Sequence, residues 1–276
     1  FEAASQAVLD LDPSLVRIER EGLFAPRAWT SWGLAITLTV IAFPHMLVRL
    51  MAGKSERALS GASRIYPVAL ILLWTPVVLI GFWGAAAFPG LQGTDVDTIF
   101  ARMITGHLPP WLAAFGFLAV LAAVMSTLDA QILTLGSMLT RDVLDQLWPT
   151  EVPGRDVRVG RIFGFVVAAT VYVLSLTWGD TVFGIARIAF SGYVTLVPTL
   201  FLGVRWRRFT AAGSVASIVV GNLVYGLGVA GLLPLAGFLP VFWALIAGIA
   251  AAVGVSLITP ETSGELTRKA FGEASA

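Results

Sequence analysis

The chain has 276 residues, 57% of them hydrophobic and 13% charged, with a net charge of +1 and no cysteine; its mean hydropathy is +0.84. An average soluble domain carries roughly 25% charged residues, so this chain lacks the charge to cover a water-soluble globule, and a soluble globular enzyme is excluded. The near-neutral balance argues against nucleic acid as a partner, and the absence of thiols removes disulfides, thiolate metal sites and cysteine nucleophiles.

Residues 1–30 differ in kind from the rest of the chain. Glu2, Asp10, Asp12, Glu19 and Glu21 mix with Arg17, Arg20 and Arg27, and the leucines and valines recur at partly helical spacing. This pattern predicts an extracellular loop with a short amphipathic helix. The opening Phe1-Glu2-Ala3-Ala4 has neither Met nor a signal-peptide layout, so an N-terminal half of the same protein is expected upstream as the partner of this chain.

A bilayer-crossing helix needs about 20 mostly apolar residues, and uncharged runs place seven such spans within 31–260. The predicted limits are 31–51, 65–88, 111–140, 161–178, 181–204, 209–231 and 238–259. The run from Phe209 to Pro260 is too long for one crossing, and Gly231-Leu-Leu-Pro234 with Gly237 and Pro240 supplies a turn inside it. Residues 261–276 form a tail. The predicted fold class is therefore all-α, a polytopic protein in contact with membrane lipid. If the chain alternates sides, thirteen Lys and Arg (49, 54, 57, 64, 141, 155, 158, 161, 205, 207, 208, 268 and 269) fall together, against Arg102 and Arg187 opposite. By the positive-inside rule the basic side faces the cytoplasm, as does the C-terminus.

Span one ends Phe43-Pro44-His45-Met-Leu-Val-Arg49. A proline inside a span removes a backbone hydrogen bond. The outcome is either a plain kink or the kind of broken helix that exposes backbone groups to solute and ions in transporters. His45 beside it either contacts solute or caps freed carbonyls. Pro67, Pro76 and Pro198 predict further kinks.

Span three interrupts an apolar run with Ser126, Thr127, Asp129 and Gln131. Ala123, Ser126 and Thr127 share a face by i, i+3, i+4 spacing. Two readings stand side by side: hydroxyls bonding back to carbonyls one turn earlier, or two hydroxyls and a carbonyl offering neutral oxygens to a hard monovalent cation. Asp129 favours a helix facing the protein interior or water, because an ionisable group inside a span is costly. No phosphate-binding loop, HExxH or Gly-x-Ser-x-Gly motif occurs, so no enzymatic chemistry is expected.

The stretch Phe43-Pro44-His45-Met-Leu-Val-Arg49-Leu-Met-Ala-Gly-Lys54-Ser55 resembles the proline-histidine segment of the sodium:solute symporter family. Leu121-Ala-Ala-Val-Met-Ser126-Thr127-Leu-Asp129-Ala-Gln131-Ile-Leu133 is similar to that family's "LAAxMSTxxxQLL" helix, and Val159-Gly160-Arg161 opens the next span as it does there. The resemblance runs from about Trp32 to Pro260. It implies a leucine-transporter-like fold of two inverted five-helix repeats. The first five spans would be the second repeat, and spans six and seven the trailing helices. It implies a sodium ion held by Ala123, Ser126 and Thr127 together with ligands from the absent first repeat. Phe43, Pro44, His45, Asp129 and Gln131 are expected to bind or gate the solute. The function implied is sodium-coupled import of a small organic solute, a carboxylate or an amino acid, across the cell (inner) membrane. Proline-transporting members carry Trp and Tyr eight and four residues before the proline of the Pro-His motif; this chain has Ile36 and Val40 there. The alternative from the same resemblance is a symporter-like sensory module of a signalling protein.

Overall fold

The computed structural model describes residues 2–13, 22–149 and 154–260. The expected cytoplasmic tail 261–276 lies outside these residues, as do Arg17, Glu19, Arg20 and Glu21 of the first segment. Among the described residues every regular element is helical. By length and composition six helices could cross a membrane, or seven if one bent pair counts as a single span. The chain divides into two compact units, the first within 1–15 and 47–182 and the second within 16–46 and 183–276.

In the first unit, α1 (Glu2–Leu11) lies within the segment expected to be a loop with a short amphipathic helix, and it buries Val8. It packs against α4 (Glu56–Ala87), where the Trp83 indole donates to Ser5 Oγ at 3.2 Å. Ser55 caps α4 by accepting from the Ala58 amide at 3.2 Å, so this helix begins nine residues earlier than hydropathy suggested. It continues as one helix through Pro67 and Pro76. A short 3-10 turn (Gly93–Thr98) leads to α5 (Ile99–His107). The missing side chain of Gly84 lets α4 meet α5, since a Cβ there would fall 2.7 Å from Ile99 Cγ1.

Helix α6 (Pro110–Met138) starts with proline in its first turn, where an absent N–H is harmless. It runs into a π-turn (Leu139–Leu144) and a last short turn, α7 (Asp145–Leu147). Its neighbour is α8 (Arg155–Thr177), and the two approach through glycine. A Cβ on Gly136 would lie 3.4 Å from the Gly160 carbonyl oxygen, and one on Gly164 would lie 2.8 Å from Ile132 Cγ2. Gly160 and Gly164 are four apart, the spacing by which membrane helices bring backbones together.

The second unit holds α2 (Pro26–Ala42), α9 (Val182–Val194), α10 (Val197–Arg205), α11 (Ala211–Val229) and α12 (Pro240–Ile258). Helix α2 begins at Pro26, five residues before the predicted limit, and buries Ala28, Ser31, Ala35, Thr39 and Ala42 along one stripe. With Val194, Val197, Val241 and Leu245, the stripe's Ala35 and Ala42 form the core of this unit. Helices α11 and α12 are the tightest pair. Gly213, Gly221 and Gly228 of α11 face the Ala252 carbonyl, the Ala244 carbonyl and Pro240, which a Cβ would meet at 2.8, 3.4 and 2.8 Å. Lipid chains are as apolar as leucine, so this pair is held by close packing rather than by escape from water. The polar groups at its end are bonded in kind: Thr210 Oγ1 accepts from the Gly213 amide at 3.1 Å and meets Thr259 Oγ1 at 2.9 Å.

Candidate ion and solute sites

Span one breaks where the proline predicted. Phe43 takes an extended conformation (φ −67°, ψ 121°) between α2 and α3 (Pro44–Met51), and the two helices bend by 52°. Pro44 has no N–H to give the Val40 carbonyl four residues earlier, and the Met46 amide turns instead to the Phe43 oxygen at 3.0 Å. The break is wrapped in aromatic rings. Phe43 stacks on the His45 imidazole at 5.4 Å and meets Phe190 and Tyr193 edge-on at 5.4 and 4.8 Å. Trp32 packs against Phe183 and Phe190 at 5.7 and 5.8 Å. Fully buried Thr39 donates to the Ala35 carbonyl at 2.6 Å and lies 3.3 Å from the Phe190 carbonyl.

The sequence pattern singled out Phe43, Pro44 and His45 but passed over Trp32, Thr39, Phe190 and Tyr193. The phase of Trp32, Ala35, Thr39 and Ala42 on α2 was available as a signal. The pairing with α9 was not, because 151 residues separate Thr39 from Phe190.

Span five, where Pro198 predicts a kink, is interrupted between α9 and α10. Thr195 and Leu196 bond three residues back, their amides reaching the Gly192 and Tyr193 carbonyls at 3.3 and 3.0 Å. Pro198 then enters the first turn of α10. Asn222 of α11 donates to Thr195 Oγ1 at 3.0 Å, and that hydroxyl donates in turn to the Gly192 carbonyl at 2.7 Å.

On α6, Ala123, Ser126 and Thr127 lie on one exposed face of a continuous helix. Thr127 Oγ1 donates to the Ala123 carbonyl at 3.2 Å. The back-bonded reading of the hydroxyl therefore describes this structure. That bond uses the hydroxyl hydrogen and leaves the Oγ1 lone pairs open to a cation. The Ala123 carbonyl, which also takes a helical N–H, can serve an ion only when the Thr127 hydroxyl turns from it. Ser126 Oγ makes no hydrogen bond among the described residues. No group of three His, Asp or Glu among them could hold a metal ion, so a cation on this face would meet neutral oxygens, which suit a single positive charge.

Asp129 and Gln131 lie further along the same helix. Asp129 lines a cleft of about 770 Å³ between α6 and α8, with Ser137, Thr140, Asp156 and Arg161, whereas Gln131 is half-buried outside that lining. Thus α6 carries the five residues 123, 126, 127, 129 and 131 in the first unit, and the break carries 43, 44 and 45 in the second.

Comparison with known proteins identifies the family. The profile of the sodium:solute symporter family matches residues 2–221; it takes in the amino-terminal segment that the motif resemblance left out and stops inside α11. The sodium/proline symporter of Escherichia coli (strain K12) is 32% identical over 200 residues, covering 70% of this chain and 39% of that protein. The sodium/proline symporter of Staphylococcus aureus is 29% identical over 248 residues, 87% of this chain and 47% of its own length. A high-affinity proline transporter of Bacillus subtilis (strain 168) is 30% identical over 197 residues. The chain spans about two fifths to one half of the length of these curated relatives. It belongs to the sodium:solute symporter family, a family of membrane transporters and not of enzymes.

Proposed function

We propose that this chain supplies the sodium-binding half of a symporter that imports a small organic solute across the plasma membrane, with its basic loops and C-terminus on the cytoplasmic side. The observation that carries the reading is the neutral-oxygen face of Ala123, Ser126 and Thr127 on a span whose hydroxyl lone pairs stand open. The relatives are named for proline, and an amino acid or a related carboxylate is the solute class we assign. Ile36 and Val40 line α2 on the approach to the break and offer an apolar wall instead of hydrogen-bond donors. The five spans from α2 to α10 act as the second repeat of a leucine-transporter-like fold, and α11 and α12 as the trailing pair.

Sodium is a co-transported substrate here. On its arrival the Ser126 and Thr127 oxygens replace part of its hydration shell. The cycle is driven because the ion has different affinities for the outward and inward states. The aromatic rings around the break shield the freed carbonyls of α2, and His45 stacked on Phe43 lies where a solute carboxylate can be met.

The test is solute uptake against sodium concentration in vesicles reconstituted with the whole protein that contains this chain. Thr127→Ala deletes one oxygen and keeps a good helix former. Loss of one neutral ligand should weaken sodium binding by about 1–3 kcal/mol, raising half-saturating sodium roughly 5- to 150-fold. Ser126→Ala should behave alike, while Ser137→Ala, about three turns away, should leave sodium dependence as it is. Unaltered sodium dependence in both Thr127→Ala and Ser126→Ala, with normal amounts of protein, would remove the assignment.

A further inference from the structure

Arg27 occupies the second position of α2, at the helix end that carries positive partial charge. A cation there is unfavourable for the helix itself, so its placement needs another reason. That reason is the connection between α11 and α12. Arg27 Nη1 donates to the Ala236 carbonyl at 2.9 Å, and the guanidinium lies 5.8 Å from the centre of the Phe238 ring. The connection is shaped to receive it. Ala236 holds φ at 51°, a left-handed conformation that residues with a side chain seldom take, and Gly237 comes next at φ 83°. A Cβ on Gly237 would fall 3.3 Å from Arg27 Cδ. One turn further along α2, the buried Ser31 hydroxyl accepts from the Leu239 amide at 3.2 Å and donates to the Arg27 carbonyl at 2.7 Å. From the other side, the Trp243 indole donates to the Leu235 carbonyl at 3.0 Å, and Phe238 stacks on Phe242 at 4.4 Å.

We propose that Arg27 and Ser31 are positioning residues that latch residues 235–239 onto the outer end of α2, so that the outer arm of the broken span stays fixed to the α11–α12 pair throughout transport. Motion in span one is then confined to the break at Phe43, beyond the fixed arm. This inference rests on the symport reading for its transport readout, but the latch itself can be read without transport.

The experiment uses the whole protein without other cysteines, carrying Arg27→Cys, Gly237→Cys or both. The Cβ positions of residues 27 and 237 are 4.0 Å apart, within the range a disulfide spans. Arg27→Cys alone, and the double variant kept reduced, should turn over about 3- to 10-fold more slowly per folded molecule, the scale of one lost solvent-exposed hydrogen bond. Half-saturating sodium should be unchanged. A merely structural role would lower the amount of folded protein and leave turnover alone. Oxidation of the double variant should return the rate to that of Gly237→Cys, because a covalent link replaces the guanidinium. Two results overturn the latch: an oxidised double variant that is blocked while the reduced one transports, or an Arg27→Cys rate equal to the parent. The disulfide should also form equally fast with and without sodium, whether or not any solute is taken up; formation in only one of these conditions would show the connection leaving α2. Absence of sodium-dependent uptake in the parent would strike the symport reading and leave this last measurement standing.

Discussion

Among the described residues, buried hydroxyls divide into those with hydrogen-bond partners and one without. Thr39, Thr195 and Thr210 are buried and bonded, whereas the Ser217 oxygen, wholly buried on α11, has no hydrogen-bond partner. A buried polar atom left unpaired costs stability, and replacing it with an apolar group of similar size removes the cost. Ser217→Ala should therefore leave the purified protein as stable as the parent or raise its stability by up to about 1 kcal/mol, seen as an unchanged or higher melting temperature in detergent. A loss above that size would mean that the hydroxyl holds something. Thr195 makes the contrasting case. Its hydroxyl accepts from Asn222 and donates to the Gly192 carbonyl at the α9–α10 break, so Thr195→Val should cost about 1–2 kcal/mol by leaving the amide and the carbonyl short of a partner.

At the scale of elements, glycine decides which helices touch. The test separates packing from helix propensity on a single helix, α11. A methyl on Gly213 would meet the Ala252 backbone oxygen at 2.8 Å and collide with the Ser256 hydroxyl, whereas a methyl on Gly226 would meet nothing within 4 Å. Backbone cannot yield as a side chain can. Gly213→Ala should destabilise by about 1–3 kcal/mol through overpacking, while Gly226→Ala should be neutral or gain up to about 1 kcal/mol from the better helix former. Equal effects in chemical denaturation would show that the two helices are not held by close approach at Gly213. The same logic explains why α4 runs unbroken through Pro67 and Pro76 while span one parts at Pro44. In span one the residue before the proline has taken extended geometry, which a proline at the next position favours. Its ring is then captured by Phe190 and Tyr193.

For the whole molecule, the proposed orientation makes a direct prediction. A cysteine placed at Arg207, in the turn between α10 and α11, should resist a membrane-impermeant thiol reagent in intact cells and react once the cells are opened. A cysteine at Leu232, in the connection between α11 and α12, should react in both. Reversal of this pattern would reverse the positive-inside assignment. A helix of 19 residues such as α11 rises about 29 Å, enough to put these two turns on opposite faces of a bilayer.

Much was legible in the sequence alone. Hydropathy and the scarcity of charge determined an all-helical membrane chain of about seven spans, because a bilayer admits only segments that satisfy their own backbone. Pro44 marked the break, and the Ser126-Thr127 helix with the Pro-His segment marked the family. These are local properties, written in runs of neighbouring residues. Helices α2 and α4 extend beyond the apolar runs because a first-turn proline, Pro26, and a capping serine, Ser55, start them outside those runs, where hydropathy is silent. Tertiary structure decided the rest. It brought Phe190 and Tyr193 to Phe43, set Gly136 against Gly160, and carried the Ala236 carbonyl to Arg27, 209 residues away. Every span is apolar on most of its surface, so lipid and protein faces look alike along the chain. What distinguishes them is shape: a missing Cβ or a well-placed ring gains contact only when a particular second helix lies against it.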